Sequence, residues 1–210
     1  MGFDTRIKGR RRSALLTAAA VSAVLAAQPA RASDDAFEFW LNPSVMTDLD
    51  RNTELELETA QRFRSAADGR ADTYFARLWI NQDVGNGLTL SGGVERRVTD
   101  PGADEFRLHQ QGYYERGILR ARLRVQQSFP DRARMGVRVQ PRLGFEVPVG
   151  KDERWALFSN AELFFTLRST SSGGQTGLTG LRTQTGASYE LSDHVELTRA
   201  YLRQQDILDG

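Results

Sequence analysis

Glu54-Leu55-Glu56-Leu57-Glu58 and, further on, Leu119-Arg120-Ala121-Arg122-Leu123-Arg124-Val125 alternate charged and apolar residues one by one. Successive side chains of a strand point to opposite faces, so each stretch reads as a strand with one ionic and one apolar face. The pattern returns repeatedly between Thr53 and Phe129. In a soluble sandwich the apolar face would be inside. Behind an export signal, strand after strand of this kind fits the reverse: apolar faces to lipid, charges to the lumen of a barrel. The expected fold class is all-β, an antiparallel up-and-down transmembrane β-barrel of about 10–12 strands in an outer membrane.

The export signal opens the chain. Arg6, Lys8, Arg10, Arg11 and Arg12 form a basic head, Ala14 to Ala27 is an uncharged apolar stretch, and Ala30-Arg31-Ala32 is a small-x-small cleavage motif. The stretch is too short to span a bilayer as a helix. A signal peptide is expected over residues 1–32 and a barrel domain over 33–210. The signal carries six of the 28 Lys+Arg and one of the 27 Asp+Glu, leaving 22 basic against 26 acidic residues. The mature chain is thus mildly acidic, and nothing suggests a nucleic-acid partner. Cysteine is absent, which fits an oxidising compartment and excludes a thiolate metal site or a Cys nucleophile.

No segment carries a helical stripe. Turn signals divide the chain into ten expected strands: Glu38–Leu49, Thr53–Arg64, Asp72–Val84, Leu88–Val98, Phe106–Glu115, Ile118–Phe129, Arg134–Val149, Trp155–Arg168, Gly180–Leu191 and Val195–Gln204. Most are long enough to cross a bilayer when tilted. The turns near Asp50, Asn86, Arg116, Asp152 and Asp193 are short, and those around Asp68, Pro101 and Gly173 longer, with Pro130–Ala133 intermediate. Outer-membrane barrels alternate short periplasmic turns with longer external loops in this way. Such barrels end in an amphipathic strand closing on an aromatic residue; Ile207-Leu208-Asp209-Gly210 supplies neither, so the closing C-terminal strand is expected to be missing.

The mature chain resembles the bacterial family catalogued as domain of unknown function 2490, outer-membrane barrel proteins by expectation. The resemblance rests on Glu56-Leu57-Glu58-Thr59-Ala60-Gln61-Arg62-Phe63-Arg64, Arg107-Leu108-His109-Gln110-Gln111 and Pro141-Arg142-Leu143-Gly144-Phe145-Glu146. It continues through Ser159-Asn160-Ala161-Glu162-Leu163-Phe164-Phe165 and Ala200-Tyr201-Leu202-Arg203-Gln204, in that order. It implies the fold and the location, and brings no activity with it.

The expected lumen face holds an arginine cluster, Arg120, Arg122, Arg124, Arg138 and Arg142, together with Glu56, Glu58, Arg62, His109, Glu146 and Glu162. Arginine suits bidentate pairing with carboxylates, and a barrel of this size has a narrow interior. The first reading is therefore a plugged barrel with a structural role in the envelope. The alternative is a narrow channel in which the arginine cluster attracts small anionic solutes. Two further readings are a lipid-modifying enzyme and a soluble, secreted lipocalin-like barrel. The enzyme would need His109 beside Ser128 or Asn160, and no G-x-S-x-G elbow accompanies it. No catalytic role is expected. Trp40, Trp79, Tyr114, Phe129, Trp155 and Tyr201 are placed near strand ends, as interfacial girdles. Asp48, Asp50 and Asn52 are read as a turn rather than a calcium loop, because the following glycine and distal glutamate are missing. No metal or cofactor is implied. The expected partners are outer-membrane lipid, the barrel-assembly machinery during biogenesis, and a small anionic solute.

Overall fold

The structure is a computed structural model that describes residues 38–64, 72–100, 104–192 and 194–207; the expected signal peptide lies outside them. Alternating sequence carries the chain through eleven strands: β1 Glu38–Leu41, β2 Ser44–Asp48, β3 Thr53–Arg64, β4 Asp72–Gly85, β5 Leu88–Asp100 and β6 Glu105–Arg116. They continue as β7 Leu119–Pro130, β8 Gly136–Val149, β9 Trp155–Arg168, β10 Gly177–Ser192 and β11 Val195–Asp206. Each pairs antiparallel with its neighbour, in the order β1-β3-β4-β5-β6-β7-β8-β9-β10-β11, with β2 also on β3.

The expected first strand, Glu38–Leu49, is split, for a local reason. β1 places Glu38 opposite Arg64 and Leu41 opposite Gln61; β2 places Ser44 opposite Glu58 and Asp48 opposite Glu54. Both lie on one register line of β3, so they are a single ribbon interrupted at Asn42-Pro43. Proline has no N–H to give to a ladder. Its carbonyl still accepts from the Thr59 N–H at 2.9 Å.

Short turns close the hairpins at one end. Asn86-Gly87 links β4 to β5, with φ of 55° and 77°, the positive pair of a tight hairpin turn. A Cβ on Gly87 would also strike the Glu115 carbonyl. Gly117-Ile118 joins β6 to β7. The strand ends that precede the longer connections, those of β3, β5, β7 and β9, lie at the opposite end. The result is an up-and-down antiparallel sheet, the fold expected.

The sheet curls into an open half-barrel. β1 and β2 form one edge and β11 the other, and among the described residues no ladder joins them. The curl is strong enough to bring the Arg182 guanidinium of β10 within 5.4 Å of the Trp40 ring of β1.

Burial follows the inverted rule. On the inner face Glu95 is 0 % exposed, and His109 and Glu162 each 1 %. On the outer face Leu143 is 60 % exposed, and Ile80, Leu123 and Leu157 each 53 %. The outer face also carries aromatic pairs at strand ends: Phe39 with Phe63, Phe106 with Phe129 and Trp155 with Tyr189, at centroid separations of 6.2, 6.3 and 4.6 Å.

Two girdle assignments need correction. Trp79 is buried, at 3 % exposure, and faces inward. It shares its face with Arg77 two residues earlier, as period two demands. Its ring lies over Gly93, where a Cβ would collide with it, and its indole N–H points to Glu58 Oε2 at 3.4 Å. Trp40 lies opposite Arg62 in register and also faces inward, with the Arg62 guanidinium 3.9 Å from its ring centroid.

Candidate functional site

Strand register turns the inner charges into cross-strand rows. Glu58 on β3 opposes Arg77 on β4, which opposes Glu95 on β5, which opposes Arg107 on β6. Signs alternate along this row. Directly opposed opposite charges attract and like charges repel, so the row is self-consistent. Arg77 donates to Glu58 Oε2 at 2.7 Å and to Glu95 Oε2 through Nε at 2.8 Å. Arg97 donates to the other Glu95 oxygen at 2.9 Å, and Arg107 lies 3.5 Å from it. A carboxylate stripped of water is tolerated only when charge-assisted hydrogen bonds replace the water. Arg77 and Arg97 supply them here, and Arg107 adds its charge.

A second row runs along the other wall. Arg122 on β7 opposes Arg142 on β8, Arg142 opposes Glu162 on β9, and Glu162 opposes Arg182 on β10. Here two like charges face each other. Glu162 serves all three arginines: Arg122 is bonded to Oε1, Arg142 Nη2 is 3.0 Å from Oε2, and Arg182 Nη1 is 3.6 Å from it. Arg182 also donates to Gln204 on β11 at 2.5 Å. A third, smaller group joins Arg120 to Glu115 at 3.2 Å and to Glu146 at 3.3 Å.

The expected arginine cluster is therefore divided by its partners. Arg122 and Arg142 share Glu162, and Arg120 belongs to Glu115 and Glu146. Arg124 donates twice to the Gln111 side-chain oxygen, at 3.0 and 2.7 Å, and lies 5.0 Å from the Trp79 ring. Arg138 lies 5.4 Å from the Phe164 ring. Among the described residues neither Arg124 nor Arg138 has a carboxylate within ion-pair distance. Glu58 belongs to the alternating row. Glu56 is half-buried and opposes Trp79. Arg62 is held by the Trp40 and Phe75 rings, 3.9 and 5.6 Å away.

His109 sits in the alternating row's neighbourhood, not beside a serine. Its Nε2 is 3.3 Å from Glu95 Oε2, and its ring is 5.4 Å from Trp79. Ser128 instead accepts from Gln126, at 3.0 Å, and Asn160 turns to Gln184 at 3.5 Å. Counting only charges in the alternating strands overlooked the neutral packing between the rows. Gln140 donates to Gln126 and Gln111 accepts from Arg124, while Phe75 and Phe164 lie beneath guanidiniums and Phe158 is buried on the same face. The same period-two count that places Arg77 and Glu162 also reaches these residues.

At the short-turn end, Asp50 Oδ1 accepts from the Asn52 and Thr53 N–H groups, each at 2.8 Å, and Oδ2 accepts from the Thr53 hydroxyl at 2.9 Å. This is an Asx-type turn, as expected. The Asn52 N–H, followed by the Thr53 hydroxyl, holds the Asp50 carboxyl below the usual carboxylate range. Among the described residues no group of three His, Asp or Glu side chains is placed to hold a metal ion.

A family model described as Protein of unknown function (DUF2490) matches residues 37–208. No curated protein and no solved structure matches the chain.

Proposed function

The chain belongs to the DUF2490 family, and we propose that this member is an outer-membrane β-barrel whose interior is filled by ion-paired side chains. Its role is structural, within the envelope. One observation carries the reading: charged groups such as Glu95 and Glu162 are sealed inside while Leu143, Leu123 and Leu157 stand on the outer face. A soluble sheet would place its apolar face inside and leave its charges in water. Only a solvent that favours hydrocarbon rewards the inverted arrangement; such a solvent admits strands only where their edges are joined, so the reading requires that the β1–β2 and β11 edges of the half-barrel be closed in the membrane. The expected partners are lipid and, during insertion, the barrel-assembly machinery.

Fractionation tests this directly. The full chain should be recovered with outer membranes and should run as a faster-migrating compact band when unboiled. Recovery in the soluble periplasmic fraction with no mobility shift would favour the lipocalin-like alternative and sink the membrane reading.

A second reading, a narrow channel for small anions, draws on the opposed pair Arg122 and Arg142. Planar-bilayer recording separates the two. A plugged barrel stays silent, whereas a channel conducts anions and loses its selectivity on Arg122→Ala plus Arg142→Ala. His109 is engaged by Glu95, and the proposal gives it no catalytic role.

A further inference from the structure

Resting on the barrel reading, but independent of whether the lumen conducts, we infer that the β7–β8 wall holds a resident small oxyanion. Phosphate and sulfate are the simplest of the class. The site is the inner surface shared by Arg122, Arg124 and Arg142.

Charge balance is the first argument. In the row Glu58–Arg77–Glu95–Arg107 each arginine is opposed by a glutamate. In the row Arg122–Arg142–Glu162–Arg182 one carboxylate serves three guanidiniums. Arg124, the next inward residue of β7, adds a fourth positive charge and has a neutral amide as its hydrogen-bond acceptor. Its root lies about 7 Å along the strand from that of Arg122, and Arg142 stands directly across from Arg122. Arg122 and Arg124 are both buried, and two buried guanidiniums at successive inward positions of one strand call for negative charge.

The second argument is independent of the count. Arg122 is 4 % exposed, and Glu162 occupies its Nη2. Its Nε and Nη1 are buried and have no acceptor among the described residues. A guanidinium offers five N–H groups in a fixed plane, and a buried donor without an acceptor is costly. A tetrahedral oxyanion carries several strong acceptors and the missing charge together, and arginine forks match it. A halide supplies charge without that geometry, and a metal cation is repelled.

The test uses the full chain, refolded in detergent. The temperature at which the compact band is lost is followed in phosphate, in sulfate, and in chloride at matched ionic strength. Phosphate and sulfate should raise it along a saturating curve, and chloride should not. Arg124→Gln leaves the Glu162 row intact and should weaken half-saturation about tenfold or more, consistent with losing a charged hydrogen bond. Arg122→Gln should do the same if it folds. Arg96→Gln, at a residue paired with Asp104 on the exposed side of β5, should leave the curve unchanged. A compact band indifferent to phosphate and sulfate, or an unaltered curve for Arg124→Gln, overturns the site while leaving the barrel standing. Loss of the compact band in every buffer removes the barrel and the site together.

Discussion

Glu162 and Glu95 show how much can rest on one side chain. Each is a carboxylate sealed from water with three arginines within ion-pair distance. Removing one member of a buried ion pair costs about 3–5 kcal/mol, because the remaining charge is left uncompensated. Glu162→Gln should accordingly destabilise the folded chain by an amount in that range, read as a lower urea midpoint for loss of the compact band. No change would mean that the three arginines are solvated. Gly93 offers a second, sharper test. A Cβ there meets the Trp79 ring, whereas one on the adjacent Gly92 meets nothing within 4 Å. Gly93→Ala should cost about 1–3 kcal/mol by overpacking, and Gly92→Ala close to nothing. Equal effects would show that the ring is not seated over Gly93. The sequence already held the face of Trp79, two residues from Arg77. It could not show that a glycine lay across from it, since that needs the register between β4 and β5.

At the scale of strands and turns, alternation made most of the fold legible. Nine of the ten expected strands recur, Thr53–Arg64 and Trp155–Arg168 with the same ends and the others with ends displaced by up to three residues. The tenth, Glu38–Leu49, is the ribbon that Pro43 interrupts. The faces were legible for the same reason, because period two assigns them without tertiary information. The partners were not. Whether Arg122 meets a glutamate or another arginine depends on its register with β8, across the connection of residues 131–135, whose geometry no tight-turn signature fixes. Tight turns do carry register. Gly87→Ala, with φ of 77° and the Glu115 carbonyl in the way, should destabilise the β4–β5 hairpin by about 1 kcal/mol or more. Hydrogen exchange of the β5 amides would register it as lost protection. The Asp50 turn adds a pH dependence. Its carboxyl titrates lower when folded because it accepts the Asn52 N–H and the Thr53 hydroxyl. Its contribution is therefore present at neutral pH and lost as pH falls through the depressed value. Titration of the Asp50 carboxyl by NMR should give a midpoint below that of the unfolded chain; an equal or higher midpoint would rule the turn contacts out.

For the whole molecule, the inverted distribution of charge and hydrocarbon is the property from which location and role are argued. It makes stability depend on the surrounding solvent. An arginine placed at Leu123, on the outer face of β7, should cost about 2–4 kcal/mol in a bilayer if it sits near the midplane. The same substitution on a water-facing surface would cost little, within about 0.5 kcal/mol. The chain's three tryptophans allow the outer face to be located directly. Trp155 is 49 % exposed on the outside and Trp79 is buried within. The decisive measurement is fluorescence quenching by lipids with brominated acyl chains, on variants that keep one tryptophan, made by Trp→Phe changes at the other two. Strong quenching of Trp155 with Trp79 left bright is the outcome expected of an inside-out barrel in lipid. Quenching of neither, or of Trp79 in preference to Trp155, would mean that the apolar outer face does not meet hydrocarbon.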